Sequence, residues 1–410
     1  MKRYKYLMLL LLMPFSFRAQ SLPDYLEIAG ENNLELKAAF TRYHAALERG
    51  GQKGRLPDLQ VAFAAFVLPI ETRIGPQQAN IGLRQMFPWF GVRAAERSVE
   101  LKNAVEKLRA FEQKKNELYF KVRRNYYLMH QLEKDIKATR ENLLIMDSYI
   151  GLSKKEYEGG MNSMVDIVRV KMAINELGNR LAQLEDQRVV LRTRFNALLS
   201  RAASDAVEIP DSIAGIRQEV GYLRDSLWQH PAFAVYQAQK DALQEAEALN
   251  ALMNRPKLSL GLNYILVGKR TDVAVPHNGR DALMPSLGIS IPLNQKAQRA
   301  RQQELAQLQQ VVDFEKEARH QSLLADFAKV QADLKAAARR MALYANQIEQ
   351  ANQALGILIM SYAAGGTGMD EVLEMQIKRL EFQLALDKAQ TDQLIHYARL
   401  RALVGSEGKF

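Results

Sequence analysis

Two carboxylates and four methionines near two glycine-bearing segments are the side chains best suited to chemistry in this sequence. Glu371 and Glu374 lie three residues apart, so a helix would present both carboxylates on one face, where they would attract cations. A solvated helix face has the same pattern. The methionines are Met161, Met164, Met369 and Met375. Thioethers are good ligands for Cu(I), but methionine is more common in coiled-coil seams, and no metal site is predicted.

No other group of residues has the composition or spacing of a catalytic site. The 410-residue chain has no cysteine, which excludes disulfides, thiolate zinc sites, thiol catalysis and a lipidated N-terminal cysteine. Its six histidines are scattered, and it has no phosphate-binding loop, dinucleotide fingerprint, nucleophile elbow or zincin motif. We therefore expect a protein that is not an enzyme and has no cofactor.

Residues 1–19 have the pattern of a secretory signal peptide. A basic start precedes an apolar stretch of about 11 residues from Leu7 to Phe17, and Ala19 fits the position before the cleavage site. The stretch is short for a bilayer span, which disfavours the alternative of an N-terminal anchor helix. No later stretch has ~18 consecutive apolar residues, so an exported chain would be either soluble or inserted in the outer membrane as a barrel.

The net charge of +10 does not by itself indicate nucleic-acid binding. Four of the 56 Lys and Arg residues lie in the leader, which leaves 52 basic against 46 acidic residues in the mature chain. These charges are interleaved along the sequence, as on solvated helix faces, rather than clustered. Nucleic acid is therefore not an expected partner.

The mature chain is a duplication. Tyrosine, glycine, methionine, an acidic residue and a β-branched residue recur in the same order in Tyr157–Ile167 and, 205 residues later, in Tyr362–Val372. Each half is predicted to contain a helix, a pair of strands, a very long helix, a glycine-bearing turn and a shorter helix. The predicted boundaries are a first repeat over 20–205 (helix near 22–50, strands in 58–88, helical hairpin 91–200), a linker over 206–225, a second repeat over 226–405 (helix near 226–253, strands in 257–292, helical hairpin 296–405) and a tail over 406–410.

The predicted strands alternate large apolar residues with small or polar ones, except Val61–Leu68, which is apolar on both faces. Between Leu258 and Leu266, one face carries Leu, Leu, Leu, Tyr and Leu, and the other carries Ser, Gly, Asn and Ile. Runs of about 9–11 residues with this pattern are typical of membrane strands that have lipid on one side and water on the other. A half-buried sheet in a soluble protein alternates in the same way, so the strands alone leave both interpretations open.

The long helices favour the membrane interpretation. Every seventh residue from Leu101 to Ile150 is apolar with one exception, and the series from Phe327 to Tyr362 is apolar throughout. This pattern predicts coiled-coil packing along helices of roughly 65 residues, or about 100 Å. Four strands are too few for a barrel, which needs about eight, and open sheet edges are forbidden in lipid. We therefore expect several copies to share one barrel, and three copies would supply twelve strands.

In these features the sequence resembles the TolC-type outer-membrane efflux channels. The resemblance covers about 22–405 and rests on the duplicated order, the two turn segments, the F-P-W-F-G segment Phe87–Gly91 and the closing Ala197–Ser200 and Ala402–Gly405. It implies a mainly α fold with a small membrane β-sheet. It further implies a homotrimer with a 12-stranded β-barrel and a long periplasmic α-helical barrel, in the outer membrane of a Gram-negative bacterium.

The resemblance also implies roles for the two turns. They would form the periplasmic tip, where an adaptor docks and the channel is gated, through Tyr157, Gly160, Ser163, Asp166, Tyr362, Gly365 and Gly368. Gly368 stands where serine is usual in the family, which puts the local helix cap in question. Glu371 and Glu374, just after the second turn, would form an acidic ring at the channel entrance that favours cations.

The function implied is that of a passive exit duct for drugs, metal cations or other small molecules. The implied partners are a periplasmic adaptor (membrane fusion) protein, an inner-membrane efflux pump, for which an RND pump is one candidate, and outer-membrane lipid. The segment Phe87–Gly91 is similar to that of relatives paired with heavy-metal pumps, which keeps cation efflux open. The alternative is a periplasmic coiled-coil adaptor or scaffold without a pore, although adaptors have one long hairpin and this chain has two.

Overall fold

The computed structural model describes residues 21–213, 224–293 and 295–405. The predicted signal peptide, residues 214–223 of the predicted linker and the predicted tail lie outside the described residues. The described elements are α1 (Leu22–Asn32), α2 (Leu34–Gln52), β1 (Gln60–Ile70), β2 (Gln77–Phe87), α3 (Val92–Glu158), α4 (Met164–Leu199), a 3₁₀ helix (Arg224–Gln229), α5 (Pro231–Met253), β3 (Lys257–Val267), β4 (Ala282–Ser290), α6 (Lys296–Ala363) and α7 (Met369–Leu403). The fold is mainly α with one small sheet, which confirms the predicted fold class for the single chain.

The first predicted helix, near 22–50, is divided in two at Asn33. The backbone of Asn33 leaves the helical region, with φ −57° and ψ 122°. Its buried side-chain amide donates a hydrogen bond of 2.9 Å to the carbonyl oxygen of Leu198 in α4. A buried amide needs such a partner, and a contact with a residue so distant in sequence could not be read from a local pattern.

The four strands form one antiparallel sheet in the order β1-β2-β3-β4. Its register places Leu83 opposite Leu262 and Leu260 opposite Leu287, so that large apolar side chains share one face. The other face carries mostly small and polar residues, such as Gly261 and Ser286, together with Ile265 and Met284. A Cβ at Gly261 would lie 2.5 Å from Oγ of Ser286, so a larger residue would displace that side chain. The sheet thus has one apolar face and one small, polar face.

The two outer strands of the sheet have open edges. Within the part of the chain that the structure describes, β1 pairs only with β2, and β4 pairs only with β3. The apolar face is exposed as well, and Leu287 keeps 70% of its surface accessible. Unpaired strand edges are templates for pairing with another chain.

The described residues form two compact units. The turn unit consists of 21–33, 118–213 and 330–400 and holds α1, α4 and most of α7. The sheet unit consists of 34–117, 224–329 without residue 294, and 401–405, and holds α2, α5 and all four strands. The long helices α3 and α6 each contribute residues to both units.

The long helices bury residues at heptad spacing. In α3, Val122, Met129 and Ile136 are buried, and in α6 so are Leu323 and Val330. The heptad positions are therefore packing positions, as coiled-coil geometry requires. None of the helices that the structure describes is both long and apolar enough to cross a membrane.

Candidate functional site at the two helical turns

The two glycine-bearing turns, 159–163 and 364–368, have the same backbone structure. After α3, the N–H of Gly160 donates to the carbonyl of Tyr157 and the N–H of Met161 donates to that of Glu156, both at 3.0 Å. After α6, the N–H of Gly365 donates to the carbonyl of Tyr362 at 3.0 Å, and the N–H of Gly366 donates to that of Ser361 at 2.8 Å. This pair of bonds is the Schellman motif, which ends a helix through a residue in the left-handed region.

Glycine is required at the reversal point of each turn. Gly160 has φ +72° and Gly365 has φ +74°. Residues with a Cβ are strained in this region by roughly 1–2 kcal/mol, whereas glycine adopts it freely. The structure therefore gives both predicted glycines a backbone reason for their type.

The helices that follow the turns begin differently. In the first turn, Oγ of Ser163 accepts a hydrogen bond of 3.2 Å from the N–H of Val165 and caps α4. In the second turn, Gly368 takes the place of the serine, and a Cβ there would lie only 2.2 Å from Oδ1 of Asp370. The Asp370 carboxylate thus occupies the space that a serine side chain would need.

Tyr362 connects the two turns. Its side chain is fully buried, and its carbonyl oxygen accepts a hydrogen bond of 3.3 Å from the side-chain amide of Asn162. Its hydroxyl lies 3.5 Å from Oδ2 of Asp166. Burial raises the pKa of the Tyr362 hydroxyl above its ordinary value, so the hydroxyl keeps its proton and can donate to the Asp166 carboxylate at neutral pH.

Arg169 adds an ionic connection between the same segments. Its guanidinium lies 3.4 Å from the buried carboxylate of Asp166 and 3.1 Å from the exposed carboxylate of Asp370. Neither Arg169 nor Asp370 is among the predicted site residues. The spacing of Asp166 and Arg169, three apart on one helix, could have indicated their ion pair. Asp370 lies 201 residues after Arg169, so no local pattern indicates the second ion pair.

Glu371 and Glu374 lie next to this network but outside it. Both are exposed on α7, and together with Ile357 and Leu358 of α6 they line one surface cavity. Among the residues that the structure describes, neither glutamate has an ion-pair partner. Their charges are therefore available to a mobile ion.

An apolar cluster beneath the turns supports these side chains. It includes Met146 and Tyr149 of α3, Val170 of α4, Leu355 of α6 and Met369 of α7. Three polar side chains are hydrogen-bonded to one another across the cluster. The Tyr149 hydroxyl donates to Oε1 of Gln376 at 3.2 Å, and the Gln376 amide donates to Oδ1 of Asn142 at 2.7 Å.

The four methionines near the turns differ in exposure. Met369 is fully buried in the apolar cluster, and Met375 packs against it. Met161 and Met164 are exposed. Within the described part of the chain, no group of three or more histidine or acidic side chains could hold a metal ion.

No protein-family model matches the sequence, and no curated protein matches it. Solved structures do match the fold. The transmembrane channel CusC is 14% identical, with a TM-score of 0.76 and 95% of each chain covered. The outer membrane protein VceC of Vibrio cholerae is 16% identical, with a TM-score of 0.73, covering 94% of this chain and 96% of that chain.

A third match is the outer membrane channel MtrE of Neisseria gonorrhoeae in its open state. It is 14% identical, with a TM-score of 0.73, and the match covers 94% of this chain and 89% of that chain. The chain thus has the fold of these channels, and the fold that the resemblance to TolC-type channels predicted is confirmed.

Proposed function

We propose that this protein is an outer-membrane channel of a Gram-negative bacterium and serves as the passive exit duct of a tripartite efflux system. The observation that carries the proposal is the four-stranded sheet. It exposes an apolar face, has a small, polar opposite face, and leaves both outer strands unpaired within the described chain, in a fold shared with outer-membrane channels. These are the properties of a fragment of a membrane barrel.

The open edges supply the reason for assembly. A backbone N–H or C=O without a partner costs several kcal/mol in lipid, so β1 and β4 need strands from other copies. Three copies would bring twelve strands into one closed barrel, with the apolar faces toward lipid and the polar faces toward a water-filled lumen. We therefore propose a homotrimer in contact with outer-membrane lipid.

The two turns would form the periplasmic entrance of the duct. The buried side chain of Tyr362, the hydrogen bond from Asn162 to its carbonyl oxygen and the bridge from Arg169 to Asp370 hold the turns together within one chain, which suits a closed tip that must be opened. In a trimer, Glu371 and Glu374 would supply six carboxylates at the entrance. A ring of carboxylates favours cations over anions.

A passive duct performs no chemistry, so the energy for transport must come from elsewhere. We propose that a periplasmic adaptor docks on the turns and connects the duct to an inner-membrane efflux pump, with an RND pump as one candidate. The cargo would be drugs, metal cations or other small molecules that this pump delivers.

Two neighbouring substitutions test the membrane position of the sheet. Leu283 lies on the apolar face opposite Tyr264, and Met284 lies on the other face opposite Asn263. Leu283→Lys should destabilise the assembled channel by about 2–4 kcal/mol if it faces lipid at mid-depth, whereas Met284→Lys should be tolerated in the lumen. The measurement is recovery of the full chain in outer-membrane fractions, followed by conductance in planar bilayers.

The result also separates the channel from the rival function. The channel would be supported if the wild type and Met284→Lys are recovered in the outer membrane and conduct, while Leu283→Lys is not recovered there. A wild-type chain that is a soluble monomer in buffer, with no conductance, would instead support a pore-free periplasmic adaptor or scaffold.

A further inference from the structure

An apolar groove lies where the sheet meets the start of α3. The groove, about 820 Å³ in volume, is lined by Phe87 at the end of β2, by Leu258 and Leu260 of β3, and by Leu287 of β4. The strand register puts these side chains on the apolar face of the sheet. The groove therefore opens on the face that, in the proposed function, is in contact with lipid.

The corner between β2 and α3 gives the groove an aromatic wall. Trp89 and Phe90 pack edge to face, with ring centroids 5.9 Å apart, and Phe90 is 80% exposed. Both line the groove. Exposed aromatic rings at the end of a membrane strand are typical of the boundary between hydrocarbon and headgroups.

Two arginines on the first turns of α3 give the groove a cationic end. Arg93 and Arg97 both line it, and Nε of Arg93 donates a hydrogen bond of 2.7 Å to the carbonyl oxygen of Gly54, which fixes the guanidinium in place. Across the ranges that the structure describes, neither arginine has an acidic partner. Arginine pairs readily with phosphate through parallel hydrogen bonds.

The apolar wall, the aromatic boundary and the cationic end occur in the order of a lipid's acyl chain, glycerol region and phosphate. We propose that this groove binds an anionic glycerophospholipid, such as phosphatidylglycerol, from the leaflet on the helix side of the membrane. The acyl chains would lie on the leucines, and the phosphate would lie between Arg93 and Arg97. The inference rests on the proposed function, because it requires the sheet to be in a bilayer.

The two tryptophans of the chain allow a direct test. Trp89 lines the groove, and the other, Trp228, can be replaced by phenylalanine so that Trp89 is the only fluorophore. The full-length channel with Trp228→Phe is reconstituted in vesicles that contain increasing fractions of dibrominated phosphatidylglycerol or dibrominated phosphatidylcholine. Bromine on an acyl chain quenches a tryptophan that it contacts. As a second route to the fluorescence of Trp89, the signal of the Trp89→Phe variant, which comes from Trp228 alone, is subtracted from that of the wild type. This route does not depend on the folding of Trp228→Phe.

We expect phosphatidylglycerol to quench Trp89 at a much lower fraction than phosphatidylcholine does. Each basic residue near an anionic lipid contributes about 1 kcal/mol, which is about fivefold in affinity, so two arginines predict a preference of about 25-fold. Arg93→Gln combined with Arg97→Gln should abolish the preference. Arg299→Gln combined with Arg301→Gln, the same charge change in the first turns of α6, should leave it intact.

The possible outcomes separate the groove from the channel. Equal quenching by the two lipids, or an unchanged preference in the Arg93 and Arg97 variant, would refute the lipid site while leaving the sheet in the membrane. Absence of quenching by either lipid would show that Trp89 is not in contact with acyl chains and would overturn the lipid site, whereas the membrane position of the sheet is tested separately by Leu283→Lys and Met284→Lys.

Discussion

The two turns have the same backbone and opposite side-chain environments. Tyr157 and Tyr362 occupy the same place in the repeat, yet Tyr157 is 46% exposed and Tyr362 is fully buried. Arg169 and Glu374 also correspond, and Arg169 is bound to two aspartates, whereas Glu374 faces solvent. The two repeats share the glycines that reverse the chain, but the positions around them differ. As a result, side chains of the first turn bind side chains of the second.

The largest expected difference concerns the two tyrosines. Tyr362→Ala should lower the free energy of opening of the turns by about 3–5 kcal/mol, because a fully buried aromatic side chain is lost from the core. Tyr157→Ala should change it by at most about 0.5 kcal/mol, as an exposed substitution. Hydrogen exchange of the turn amides measures both values.

Tyr362→Phe serves as the control for that experiment. It keeps the ring and removes only the hydroxyl, whose contact with Asp166 is long at 3.5 Å, so its effect should be small. Equal effects of the two alanine variants would show that the turns are not distinguished by burial.

The next largest effect should be shared by both turns. Gly160→Ala and Gly365→Ala should each cost about 1–2 kcal/mol, because alanine is strained at the positive φ of these positions. Gly356→Ala, inside α6 with open space around the new Cβ, should instead stabilise the helix by about 0.5–1 kcal/mol. Protease sensitivity at the turns and thermal unfolding check both signs, and a neutral result at Gly365 would contradict the backbone equivalence of the turns.

The backbone that the two turns share could be predicted from the sequence, whereas the different surroundings of their side chains could not. Glycine at matching places in two copies predicts two chain reversals, because a local backbone requirement selects that residue type. Which tyrosine is buried depends on Met146, Leu355 and other residues of distant segments. The Arg169–Asp370 bridge and the division of the first helix at Asn33 have the same origin, since both arise from contacts between segments remote in sequence.

A smaller effect should appear where the two helix starts differ. Gly368→Ser introduces a Cβ into the space of the Asp370 carboxylate and should displace it from Arg169. Because exposed ion pairs contribute about 0–1 kcal/mol, Gly368→Ser should loosen the turns by up to about 1 kcal/mol. Arg169→Ala should loosen them more, because it also removes the cation beside the buried carboxylate of Asp166. Hydrogen exchange at the turns and resting conductance in bilayers give the two readouts.

The same pair of variants shows whether one contact accounts for both effects. The double variant should be no looser than Arg169→Ala alone, because each change removes the same bridge. Arg140→Ala, which breaks an exposed pair with Glu185 elsewhere on the helices, should not alter conductance. Additive effects would show that Gly368 acts independently of Arg169.

The smallest structural effect, and the most specific functional one, should come from the two glutamates. Glu371→Gln combined with Glu374→Gln removes two exposed negative charges per chain without changing a described ion pair, so stability should hardly change. In the proposed trimer the same change removes six charges from the entrance, and the preference for K⁺ over Cl⁻, read from the reversal potential in a salt gradient, should fall several-fold. As a control, Glu349→Gln, which changes an exposed glutamate on α6, should leave the preference for K⁺ over Cl⁻ unchanged. The corresponding positions of the first turn carry Asp166 and Arg169, which pair with each other, so the first turn has no matching pair of unpaired carboxylates at these positions. Unaltered selectivity in the double variant would place the entrance filter elsewhere.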